Sequence, residues 1–125
     1  MDGRSDVALV IDDEPTVLYG LTLVLEQLGW EVVAAASADE AMRRLAARRT
    51  CPDVIVADYR LRDGRTGAEA IRAVHAMVGR AVPAMLLTGD TSPDRLKEAR
   101  RSGFTLLHKP ITIGELNNQL VLLRH

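Results

Sequence analysis

Residues 53–58 read Asp53-Val54-Ile55-Val56-Ala57-Asp58, an unbroken apolar run that stops at a carboxylate. A short aliphatic run without polar alternation suits a strand buried on both faces, as in a parallel sheet. The pattern recurs in Val7-Ala8-Leu9-Val10-Ile11 before Asp12-Asp13 and in Pro83-Ala84-Met85-Leu86-Leu87 before Thr88. It recurs again in Phe104-Thr105-Leu106-Leu107-His108 before Lys109-Pro110. If these runs are parallel strands, three carboxylates, a hydroxyl and an ammonium meet on one edge of one sheet.

The segments between the runs carry helical signals. Val17, Leu18, Leu21, Val24, Leu25 and Leu28 form a 3.6-residue stripe over 15–28, with Pro15 in the first turn and Gly29 at the end. Ser37-Ala38-Asp39-Glu40 predicts a capping box opening a helix to about Arg48. Gly67 to about Val78 is a third helix, with Ala70, Ile71 and Val74 at helical spacing. Ser92 as cap and Pro93 open a fourth, which Gly103 closes. Thr112-Ile113-Gly114-Glu115 is a capping box opening a last helix to about Leu123.

With a further run at 31–35, the order is βαβαβαβαβα. That order predicts an α/β, flavodoxin-like, doubly wound fold with a five-stranded parallel sheet in the order 2-1-3-4-5. The 125 residues fit a single domain over 1–125. A 47% hydrophobic and 26% charged composition is that of a globular chain. A net charge of −1 and 3% aromatic residues give no footprint for nucleic acid, and no run is long enough for a bilayer. The arginine pairs, including Arg43-Arg44, Arg48-Arg49 and Arg100-Arg101, are expected near helix ends. Cys51, the single cysteine, excludes an internal disulfide and is expected to be apolar filler before a strand. The polar opening residues carry no signal peptide, and a cytoplasmic setting is expected.

Ligand crevices of open α/β sheets lie beyond the carboxyl ends of the strands, where strand order reverses. In the order 2-1-3-4-5 that is between strands one and three, which deliver Asp12, Asp13 and Asp58. Three neighbouring carboxylates repel unless a cation joins them, and hard oxygens favour magnesium or manganese. Asp13 and Asp58 are expected to ligate directly and Asp12 through water, with the backbone carbonyl of Arg60 adding an oxygen. The bland alternative for Asp12-Asp13 is a helix cap before Pro15. A carboxylate beside a metal can attack a phosphoryl group, and Asp58 is the central one. Lys109 would neutralise phosphoryl oxygens and Thr88 would donate its hydroxyl, with Gly89 leaving room. A salt bridge from Arg60 to Asp90 is expected to shield the product. His75, His108 and His125 receive no catalytic role.

With these residues in place, the chain resembles the receiver domain of bacterial two-component response regulators. The resemblance rests on Asp12-Asp13, Asp58, Thr88-Gly89 and Lys109-Pro110 in order, and it covers essentially the whole chain. It implies that Asp58 accepts a phosphoryl group from a histidine kinase with magnesium required, that Thr88 is the switch hydroxyl and that Lys109 is the essential lysine. Receivers often carry Tyr or Phe three residues before the lysine; here Leu106 stands there. The stretches Asp58-Tyr59-Arg60-Leu61 with Thr66-Gly67, and Leu87 to Pro93 with Leu107 to Pro110, are similar to C-terminal receivers of hybrid sensor histidine kinases. A single-domain response regulator fits as well.

The isolated domain would be no independent turnover enzyme, only self-phosphorylating and autodephosphorylating. Tyr19 and Leu23, off the core stripe of the first helix, are expected to dock the histidine kinase or phosphotransfer partner. Homodimerisation is left open. The competing reading is a degenerate receiver acting only as an interaction module. A small aspartate phosphatase is a third, but it lacks a general acid two residues beyond its nucleophile.

Overall fold

The computed structural model describes residues 6–61, 65–89 and 92–124. Five strands alternate with five helices. The strands are β1 (Val7–Ile11), β2 (Glu31–Ala35), β3 (Val54–Asp58), β4 (Ala84–Thr88) and β5 (Thr105–His108). The helices are α1 (Pro15–Gln27), α2 (Ala38–Arg48), α3 (Gly67–Val78), α4 (Pro93–Arg101) and α5 (Ile113–Arg124). All strand pairs are parallel, and the order is β2-β1-β3-β4-β5, the expected topology.

Strand alternation sorts the apolar residues into two layers. Leu9, Ile11, Ile55, Ala57 and Leu86 face Ala41 and Leu45 of α2, Ile71 and Val74 of α3 and Ala99 of α4. Ala8, Val10, Val54, Val56 and Leu87 face Leu25 of α1 with Leu116 and Leu120 of α5. Burial on both faces explains why the strands read as continuous apolar runs. Fully burying one leucine contributes about 1.5–3 kcal/mol, and Leu25 and Leu45 are both essentially inaccessible.

Several local expectations change. β3, β4 and β5 each start one residue later than the apolar run; β3 and β4 also take in the polar stop, so Asp58 and Thr88 end strands rather than follow them, whereas β5 ends at His108, before Lys109. Asp53 instead brackets the start of β1: its carboxylate accepts from Val7 N at 2.8 Å, and its own amide donates to Val7 O at 2.7 Å. Cys51 is exposed, and buried Pro52 fills the position beside it. Arg43 and Arg44 lie in the middle of α2, where Arg44 pairs with Glu40 one turn earlier, while Arg48 at the helix end pairs with Glu31 of β2.

The caps of α3 and α5 are complete boxes, Thr66 with Glu69 and Thr112 with Glu115. The α2 box is altered: Ser37 accepts from Glu40 N at 3.1 Å, but the Glu40 carboxylate reaches back to Ala36 N, one residue before the cap. Ser92 stands at the cap of α4 without a side-chain capping bond.

The C-cap residue itself is left-handed in α3, at Gly79 (φ 76°), and in α2, at Arg49 (φ 50°). A side chain pays about 1 kcal/mol for that conformation and glycine does not. Arg49→Gly should therefore raise unfolding stability by about 0.5–1 kcal/mol, and Gly79→Ala should lower it by about 1 kcal/mol. Urea denaturation of both variants checks the pair. Equal signs for the two changes would refute the assignment of the strain.

Candidate functional site

Strand order reverses between β1 and β3, which pair directly from Ala8↔Val54 to Ile11↔Ala57. Both strands therefore end side by side at the crevice. Asp12 follows β1 and is fixed through its backbone, its amide donating to Ala35 O of β2 at 3.1 Å. Its side chain is 1% exposed. One of its oxygens accepts from Glu14 N at 2.9 Å, closing the turn into α1. The cap position of α1 is Glu14, without a side-chain capping bond, so Asp12-Asp13 does not cap the helix. The second Asp12 oxygen faces the crevice.

Among the described residues, Asp12, Asp13 and Asp58 bring carboxylate oxygens within 4.8 Å of one another. Lys109 Nζ lies 3.1 Å from Asp58 Oδ1 and 3.4 Å from Asp12 Oδ2. The lysine reaches them because its amide donates to Thr88 O at 2.8 Å, seating the end of β5 against the end of β4. The Lys109–Pro110 peptide is cis. Thr88, the last residue of β4, is 4% exposed.

The electrostatics follow from this crowding. Burial raises the Asp58 carboxyl above its ordinary range; Asp12 and Asp13 push it further, against the pull of Lys109. Burial alone would lower Lys109, but the facing Asp58 and Asp12 carboxylates outweigh it and raise the ammonium. One ammonium cannot neutralise three carboxylates, so two formal negative charges remain. A donor set of hard oxygens with that excess can hold a divalent metal ion.

The fold brings Asp12, Asp13, Asp58, Thr88 and Lys109 to one edge. Arg60 lies two residues beyond Asp58, its backbone bridged to Thr66. Asp90, invoked for a salt bridge to Arg60, and His125 lie outside the described residues. His108 is exposed, and His75 bonds Val82 O at 2.9 Å, away from the crevice. Leu106 is half-buried against the α2–α3–α4 layer, opposite Leu86. Tyr19 and Leu23 are 67% and 43% exposed on α1.

The way α3 begins escaped the sequence reading. Gly67 N donates to Tyr59 O at 2.7 Å, and Thr66 caps the helix, its hydroxyl accepting from Glu69 N. The Thr66-Gly67-Ala68-Glu69 spacing is a legible capping-box signature that would have flagged it.

Known proteins share this architecture and much of its sequence. The family model described as the response regulator receiver domain matches residues 8–121. The probable transcriptional regulatory protein TcrX of Mycobacterium tuberculosis is 32% identical over 116 residues. That match covers 92% of this chain but 48% of TcrX, so the chain spans about half that relative's length. The chemotaxis protein CheY4 of Vibrio cholerae superposes with a TM-score of 0.81 at 28% identity, covering 96% of this chain and 99% of that one. A response regulator from Burkholderia pseudomallei, solved with a phosphorylated aspartic acid and a calcium ion, superposes with a TM-score of 0.75 at 26% identity. That superposition covers 92% of this chain and 66% of the other.

The raised Asp58 carboxyl predicts a stability signature. The folded state holds this proton more tightly than the unfolded chain, so stability falls as pH rises from the ordinary aspartate range through the folded-state value. Asp58→Asn should therefore raise the metal-free Tm at pH 7. The gain should vanish below about pH 4, where both states are protonated. Magnesium at ten times its Kd should add about 1.4 kcal/mol to the native protein and much less to Asp58→Asn. Thermal melts across pH and magnesium test both. A lower Tm for Asp58→Asn at pH 7 would overturn the charge assignment.

Proposed function

The chain belongs to the response regulator receiver domain family, and from that premise we propose that Asp58 is its phosphoryl acceptor. Receiver domains of two-component response regulators are phosphorylated on aspartate and interact with histidine kinases or phosphotransfer proteins. The observation that carries the reading is Lys109 Nζ 3.1 Å from an Asp58 oxygen, in a crevice shared with Asp12 and Asp13. The phosphorylated aspartic acid and calcium ion of the Burkholderia relative add support.

Asp58 attacks the phosphorus of a phosphohistidine with one carboxylate oxygen. A P–O bond forms as the P–N bond breaks, and the imidazole, protonated on its other nitrogen, leaves neutral with the electron pair. Lys109 meets one phosphoryl oxygen and the Thr88 hydroxyl donates to another, stabilising charge where it develops. Asp13, Asp58 and the Arg60 carbonyl, with Asp12 through water, would hold magnesium or manganese, which when bound supplies Lewis-acid stabilisation of the phosphoryl oxygens. Water attack on the acyl phosphate then returns the carboxylate, so the isolated domain cycles without being an independent turnover enzyme.

The partner is a histidine kinase or phosphotransfer domain in the cytoplasm, docking on the exposed Tyr19 and Leu23 of α1, the helix that starts beside the acidic pair. The local motifs around Asp58 and Thr88 favour the receiver of a hybrid sensor kinase. A single-domain response regulator is the second reading.

Acetyl phosphate with magnesium should add one phosphoryl mass to the native chain and none to Asp58→Asn. Intact-mass spectrometry reads this, and no adduct with any donor would move the assignment to an interaction module. Leu23→Glu should slow transfer from the kinase about tenfold and leave acetyl phosphate labelling unchanged. An equal loss with both donors would sink the docking surface.

A further inference from the structure

Residues 59–61 and 65–67 pair backbone to backbone as a clip between Asp58 and α3. Tyr59 N donates to Leu87 O at 2.8 Å, and Leu61 N donates to Arg65 O at 3.2 Å. Arg60 and Thr66 form an antiparallel bridge, and Gly67 N donates to Tyr59 O at 2.7 Å. The Tyr59 and Leu61 side chains are 3% and 6% exposed, pinning the clip to the core.

The clip ends in a contact that no other residue allows. A Cβ on Gly67 would lie 2.2 Å from the carbonyl oxygen of Asp58, 3.0 Å from its carbonyl carbon and 2.8 Å from Leu86 Cδ2. At Gly20, by contrast, an added Cβ meets nothing within 4 Å. The first residue of α3 therefore rests on the peptide of Asp58 itself. Its cap, Thr66, is locked by Glu69 in both directions, at 3.0 and 3.2 Å.

We propose that Thr66 and Gly67 are positioning residues for the phosphoryl acceptor: the capped start of α3, seated on the Asp58 peptide, sets how far the Asp58 carboxylate and the Arg60 carbonyl stand into the crevice. The inference rests on the reading of Asp58 as acceptor. It names a control on that residue which touches neither phosphoryl group nor metal. A misplacement of about 1 Å can cost a hundredfold in rate, so the seating matters to the chemistry.

Two matched caps give the test. Thr66→Ala and Ser37→Ala each remove one hydroxyl that accepts a helix N–H, at the starts of α3 and α2. Both should lower Tm by a similar few degrees. Only Thr66→Ala should shift the metal-free amide resonances of Asp58 and Tyr59, weaken magnesium binding about fivefold and slow acetyl phosphate labelling about tenfold. Equal effects of the two variants would overturn the proposal.

Gly67→Ala in a Gly20→Ala background should show the larger form of the same defects. Adding Leu86→Val, which trims the 2.8 Å contact but not the 2.2 Å one, should not restore magnesium affinity. Recovery would mean that the glycine serves helix–sheet packing alone, and would refute the proposal. If Gly67→Ala does not fold, the cap pair decides. A native chain that takes no phosphoryl group would refute the acceptor reading, whereas the metal-free resonances judge the positioning by themselves.

Discussion

Three carboxylates held within 4.8 Å at the end of a buried sheet are the interaction to which the rest of the structure is fitted. At that spacing each pair repels by several kcal/mol unless solvent or counter-charge intervenes. Asp58 ends β3 and Asp12-Asp13 directly follow β1, so the paired strands limit how far the cluster can relax apart. β1 and β3 are registered against each other along Ala8–Ile11, and Asp12 is tied by its amide to β2. Burial above and below by two apolar layers then makes the ends of the strands rigid mounts. The strain is confined to one edge, where Lys109 meets two of the three carboxylates.

Much of this was legible in the chain because the decisive signals are local. Continuous apolar runs mark strands covered on both faces, and polar residues at their ends fall together once the strands are parallel. The cores of the helices were equally readable from the spacing of Leu18, Leu21, Leu25 and Ile71, Val74. What failed depended on partners distant in sequence. Asp53 looked like the start of an apolar run, yet it serves the backbone of Val7, 46 residues away. Cys51 looked like core, but Pro52 beside it takes the buried position. Glu40 has the spacing of a capping box, but its carboxylate found the amide of Ala36 instead of that of Ser37. The seating of Gly67 on Asp58 is likewise a contact between two elements, invisible until α3 is docked.

Leu106 illustrates how a departure can be structural without disturbing the edge. It sits opposite Leu86 on β4 and packs into the α2–α3–α4 layer, so an aliphatic side chain satisfies the site where receivers often have a ring. Asp58 and Lys109 themselves are set by β3 and by the seating of the end of β5 against β4.

The charge count shows why a lysine alone cannot complete the edge. Lys109 leaves two formal negative charges uncompensated among Asp12, Asp13 and Asp58. On the reading of Asp58 as acceptor, converting its carboxylate into an acyl phosphate replaces one negative charge with up to two. The deficit therefore persists through the reaction and deepens by as much as one charge. Lys109 can follow the charge, since its Nζ already lies between two carboxylates and a small movement trades one oxygen for another. Asp12 cannot, because one of its oxygens is committed to Glu14 N and its side chain is buried. On the reading of Asp58 as acceptor, the lysine would meet the phosphoryl group, while the acidic pair with Asp58 keeps an excess of negative charge suited to a divalent ion.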